Sequence, residues 1–158
     1  MVKCDENAKR VIKRVEAFAN DNNYVYFRGG TGLSYRITIP VLIGGENRHI
    51  IFDASAEYER LSISALLVNE PVPDERRFDA AVAICVLNNI RCPRWQYDVL
   101  TGKVSYWAGT SFKGGDVSDE TIEYMFITAF NVVENMQGDW RAFLSGELTV
   151  EDFVEKYK

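Results

Sequence analysis

Few residues in this chain are of the types that do chemistry, and their spacing assembles no familiar catalytic or metal-binding device. The one histidine, His49, opens the apolar run His49-Ile50-Ile51-Phe52 and has no second histidine with which to share a metal. Its expected role is therefore structural or on the surface. Serine and cysteine triads assemble in space and not along the chain, so spacing alone leaves one open. Locally there is no G-x-S-x-G elbow, and neither Cys85 nor Cys92 stands in a nucleophile signature. The glycine-rich stretch Gly29-Gly30-Thr31-Gly32 joins two candidate strands instead of opening a helix, so it reads as a hairpin turn and not a phosphate loop. Gly114-Gly115-Asp116 lacks the basic residue a phosphate site needs and reads as a connector. Asp119, Glu120 and Glu123 are scattered over helix faces, and acids in a first helical turn favour the dipole without any catalytic role. The expectation is a chain with no catalytic residue, no metal and no cofactor.

The elements around these residues are easier to read. Residues 94–111 have the pattern of a β-hairpin: Trp95, Tyr97 and Val99 alternate with Arg94, Gln96 and Asp98, and Asp98-Val99-Leu100-Thr101-Gly102 supplies a turn. A loop over 99–102 sets Asp98 opposite Lys103, Tyr97 opposite Val104 and Trp95 opposite Tyr106. Ser118 then caps a helix with Ile122, Met125, Phe126, Ala129, Phe130, Val133 and Met136 on one stripe, ending at Gln137-Gly138. Asp139 opens a further short turn with Trp140, Phe143 and Leu144, and Thr149 with Asp152 forms a capping box for a last helix.

Upstream, residues 5–20 form a helix with Ala8, Val11, Ile12, Val15, Phe18 and Ala19 inward, followed by strands over 24–28, 34–43, 48–54 and 61–68. Pro40 cannot donate to a ladder, so its strand lies at an edge or carries a bulge there. Asp74 caps a helix with Phe78, Ala81, Val82, Cys85 and Val86 inward, broken by Cys92-Pro93. The order of elements predicts an α+β fold: a largely antiparallel sheet with helices packed mainly on one face.

Trp107 is the anomaly. In the predicted register it points away from Tyr106 and Val104 and shares the outer face of the hairpin with Ser105 and Gln96. One reading covers it internally, by a loop or by the C-terminal segment with Trp140 and Phe153. The other makes Trp107, Ser105 and Gln96 an interface, met by a protein client or by a second copy in a homodimer.

A formal charge of −5 argues against a nucleic-acid surface, and no window of the sequence has the apolar length of a membrane span. The acidic start Met1-Val2-Lys3-Cys4-Asp5-Glu6 and the odd, unpaired cysteines Cys4, Cys85 and Cys92 point to a cytoplasmic chain. Without repeats or linkers, residues 1–158 are expected to form a single domain.

Three stretches resemble YbjN-type proteins, grouped with the type III secretion chaperone-like fold. They are Val86-Leu87-Asn88-Asn89, the hairpin turn from Asp98 through Thr101-Gly102-Lys103-Val104 to Tyr106, and Phe143-Leu144-Ser145-Gly146 followed by Leu148-Thr149. The resemblance implies a non-catalytic regulatory or protein-binding, chaperone-like role, commonly as a homodimer, and brings no catalytic residues with it. The competing class is a small-molecule-sensing domain or an enzyme whose site lies in a cleft.

Overall fold

Strict alternation of apolar and polar side chains sorts the strands into a sheet with one dry face. The computed structural model describes residues 2–90, 94–113 and 115–157. Helix α1 (Val2–Asp21) leads into strands β1 (Phe27–Gly29), β2 (Ser34–Ile43), β3 (Glu46–Ser55) and β4 (Arg60–Leu66). Helix α2 (Arg77–Ile90), the hairpin β5 (Arg94–Asp98) and β6 (Lys103–Ser111), the long helix α3 (Asp119–Ser145) and α4 (Val150–Glu155) follow. The six strands are ordered β1-β2-β3-β4-β6-β5, and every neighbouring pair is antiparallel. This is the α+β architecture expected, with α1 and α3 packed against the sheet and α2 and α4 gathered at its β5 end.

Ile37, Ile39, Ile50, Phe52, Leu61, Ile63, Val104, Tyr106 and Trp95 point to the dry face and are buried against the stripes of α1 and α3. Each such side chain contributes about 1.5–3 kcal/mol when taken out of water. The hairpin register is the predicted one: Asp98 pairs with Lys103, Tyr97 with Val104 and Trp95 with Tyr106. Its turn is held by Asp98, whose Oδ1 accepts from the Leu100 amide at 2.9 Å and whose Oδ2 accepts from Thr101 Oγ1 at 2.7 Å, while Gly102 takes a φ of 68°. Beyond its pairs with β1, which stop at Thr38, β2 is itself an edge, and Pro40 sits in that half. Ser118 caps α3 through Thr121, and the Thr149–Asp152 capping box opens α4.

Four expectations need correction. First, α3 does not stop at Gln137-Gly138 but runs on to Ser145, where Gly146 closes it at φ 84°. The apolar stripe continues through Trp140 and Phe143, whose rings each pack against Phe153 of α4 at a centroid distance of 5.3 Å, and this packing outweighs the weak helix propensity of one glycine. Second, α2 is turned about its axis: Ala80, Ala83, Ile84 and Leu87 face inward, while Phe78, Ala81, Val82 and Cys85 face solvent. Cys85 is therefore an exposed thiol and not a core hydrophobe. Third, Asp74 does not cap α2; it opens a single 3-10 turn and pairs with Arg77 at 2.9 Å. Fourth, the first strand is confined to Phe27–Gly29. The break expected at Cys92-Pro93 and the glycine Gly114 lie outside the described residues.

Candidate functional site

The other face of the sheet carries the outward half of each alternation, opposite the side on which the buried stripes of α1 and α3 pack. One row runs Thr38, Ile51, Ser64, Trp107, Arg94 across β2, β3, β4, β6 and β5. The next runs Arg36, Asp53, Ser62, Gly109, and on the hairpin side Leu66, Ser105 and Gln96 stand in line. Serines floor the middle of this face, where Trp107 stands half-buried among small neighbours, and at the β1 edge the same row ends in the exposed ring of Phe27.

What half-buries Trp107 is local. A Cβ on Gly109 would meet the tip of the indole and the Arg60 side chain, each at 3.2 Å, so the glycine leaves the space over which both lean. The Arg60 guanidinium lies 4.7 Å from the indole centroid and 5.8 Å from the exposed Tyr58 ring, in cation–π contact. Neither Trp140 nor Phe153 takes part: both are fully buried in the α3–α4 cluster.

Gln96 and Ser105, opposite each other in the hairpin, complete the predicted set; Ser105 is half-buried and Gln96 exposed. Two depressions meet at Gln96. One, of about 600 Å³, lies toward the turn between Leu66, Asp98, Thr101 and Lys103. The other, of about 540 Å³, is lined by Arg60, Asn88, Arg94, Trp95 and Trp107. Asn88 of α2 donates to the Trp95 carbonyl at 2.8 Å and accepts from the Trp95 amide at 2.7 Å, taking both groups that β5 turns outward there.

The groups with chemical potential lie elsewhere. His49 is exposed, paired across the strands with Pro40. Gly30 takes a φ of 112° and Gly32 of 61° in the turn between β1 and β2, as a hairpin needs. Among the described residues no cluster of His, Cys, Asp and Glu is placed to hold a metal ion. Asp116, at the foot of the Gly115 connector, is engaged by Arg14 at 3.1 Å and Arg10 at 3.6 Å, which fasten it to α1.

The most deeply buried polar group is Arg48, at the far end of the sheet. Its Nη2 contacts Glu46 at 2.9 Å and Gln137 Oε1 at 3.3 Å, while its Nε and Nη1 have no hydrogen-bond partner. Burial holds this guanidinium below its ordinary pKa, with the Glu46 carboxylate pulling the other way. Glu46 also receives Arg141 from α3, so the cluster staples α3 to the β2–β3 hairpin.

Sequence reasoning missed two features. Arg60 reaches Trp107 only through the β4–β6 pairing, which no local pattern announces. The exposed stripe of α2 reads as core in the sequence because that helix is apolar nearly all the way round.

No described helix is long and apolar enough to cross a membrane. No protein-family model matches the chain, and no curated protein matches it in sequence. Among solved structures, a chain of the crystal structure of the ExsC–ExsE complex is similar in fold: TM-score 0.60 at 19% identity, covering 82% of this chain and 92% of that one. The likeness is one of fold, the α+β arrangement of an antiparallel sheet and helices described above.

Proposed function

We propose that this protein is a non-catalytic, chaperone-like binding module whose protein client docks on the open sheet face around Trp107, Ser105 and Gln96. The observation that carries the reading is the Trp107 setting: the largest apolar side chain stands on an uncovered face, ringed by serines and flanked by depressions. That a protein of similar fold was crystallised in a two-protein complex supports it. So does the resemblance to YbjN-type proteins, which this reading extends to a cytoplasmic regulatory role for residues 1–158 acting as one unit.

Self-association belongs to the same proposal but to a different surface. Phe78 is 79% exposed, and Ala81, Val82 and Cys85 continue its stripe along α2 at helical spacing. A two-fold contact needs only one self-complementary patch, and this stripe provides it while leaving Trp107 free for the client. Light scattering at tens of micromolar is expected to show twice the chain mass for the wild type and for Trp107→Ala, and a single chain mass for Phe78→Asp. A monomeric wild type refutes the homodimer; a monomeric Trp107→Ala moves the contact to the sheet face.

The client surface is tested by affinity capture from source cells with wild type and Trp107→Ala, each checked for a native thermal transition. A protein bound by the wild type and lost from Trp107→Ala supports the open face. Equal capture by both folded proteins overturns it.

A further inference from the structure

Arginines in this acidic chain are almost all committed. Among the described residues, every arginine except two lies within ion-pair distance of a carboxylate. The two exceptions are Arg60 and Arg94, and they line the same depression, with Trp107 between them. Arg94 stands directly opposite Trp107 in the β5–β6 ladder, and Arg60 lies over the indole from the other side. The Arg60 Nε is buried and makes no hydrogen bond. Two acids of the open face are already taken: Asp53 by Arg36 at 3.0 Å and by Ser34, and Asp98 by its own turn.

We propose that Arg60 and Arg94 form a clamp for carboxylates, and that the partner segment docking over Trp107 is an acidic stretch in which Glu or Asp is mixed with apolar side chains. This rests on the reading of the open face as the client surface and names the chemistry of that client. A guanidinium presents a planar fork of donors that matches a carboxylate two-to-two, and stacking on an indole holds the fork in place before the ligand arrives. Residues two apart on an extended segment face the same way, so a docked strand with acids at alternate positions turns all of them toward the sheet or all away from it. Where an apolar side chain takes one of these same alternate positions, it meets the indole edge and the serine floor beside the clamped carboxylates. A polyphosphate chain fits less well. Two guanidiniums are far from a basic stripe, and Asp53, Asp98 and the net charge of −5 oppose a continuous polyanion.

Fluorescence anisotropy with three labelled probes tests the clamp: a twelve-residue peptide mixing Glu with Leu and Ser, the same peptide with Gln for Glu, and a single-stranded oligothymidylate. The Glu peptide is expected to bind about tenfold or more tightly than the Gln peptide at low salt, with the preference shrinking as salt rises. The double variant Arg60→Gln/Arg94→Gln should lose that preference, keep the affinity for the Gln peptide, and melt like the wild type; Arg94→Lys should retain part of it. Equal binding of Glu and Gln peptides overturns the clamp and leaves the docking face standing. Failure of both peptides to bind removes clamp and docking face together. Tighter binding of the oligothymidylate assigns the arginines to phosphate, and a change in the protein's own mass on neutralising them assigns them to a second copy; either result also overturns the proposal.

Discussion

At the scale of single residues, Arg48 shows how an unfavourable group is tolerated. It is buried with one carboxylate partner and two donors unpartnered, so its contribution depends on Glu46. Replacing it by a side chain of similar volume removes the desolvation penalty and both idle donors, and Arg48→Met should leave stability unchanged or raise it by about 1 kcal/mol. Glu46→Gln, by contrast, strands the guanidinium and frees Arg141, and should lower stability by about 2 kcal/mol. Urea unfolding of the two variants checks the opposite signs. The sequence does not announce this cluster, because its members are 89 and 95 residues apart. Trp107 is the contrary case: its side of the sheet follows from counting along one strand from Tyr106, and only its partner Arg60 requires the fold.

At the scale of elements, legibility tracks how many answers a pattern allows. The hairpin allows one, since a D-x-x-T-G turn and two alternating arms fix the register before any other part of the chain is known. The apolar run of α2 allows two. Ala80, Ala83, Ile84 and Leu87 make as good a stripe as Phe78, Ala81, Val82 and Cys85, and it is the packing on β5 and α4 that decides between them. Glycine is a common helix stop, so the sequence pattern of α3 ends at Gly138, yet the aromatic packing of Trp140 and Phe143 carries the helix through it. Gly138 is exposed, and an added Cβ would meet no neighbouring atom. Gly138→Ala should therefore stabilise the protein by about 0.5–1 kcal/mol by removing backbone freedom from the unfolded chain. A rise in the thermal midpoint with unchanged binding is the expected result.

At the scale of the whole molecule, folding draws several carboxyls below their ordinary pKa. Hydrogen bonds from Lys9 to Asp5, from Thr101 to Asp98, from Lys156 to Asp139 and from Thr149 to Asp152 all favour the ionised form. A carboxyl lowered on folding adds stability above its unfolded pKa and loses it as the pH falls through the folded value. The protein should therefore weaken as the pH drops below about 4. Asp139 receives Lys156 at 2.8 Å and Tyr157 at 2.9 Å, which pin the C-terminal segment to α3, so Asp139→Asn should flatten that acid limb in urea titrations. The sealed middle of β5 has a bearing on selectivity. A segment that extends a sheet is recognised through its peptide groups, which every sequence shares, and such an edge accepts strangers readily. With the Asn88 amide already occupying that position at Trp95, a visitor near this end of the molecule has to be judged by its side chains. Under the proposal that the open face takes a client, discrimination among clients is built into where the protein refuses to be joined.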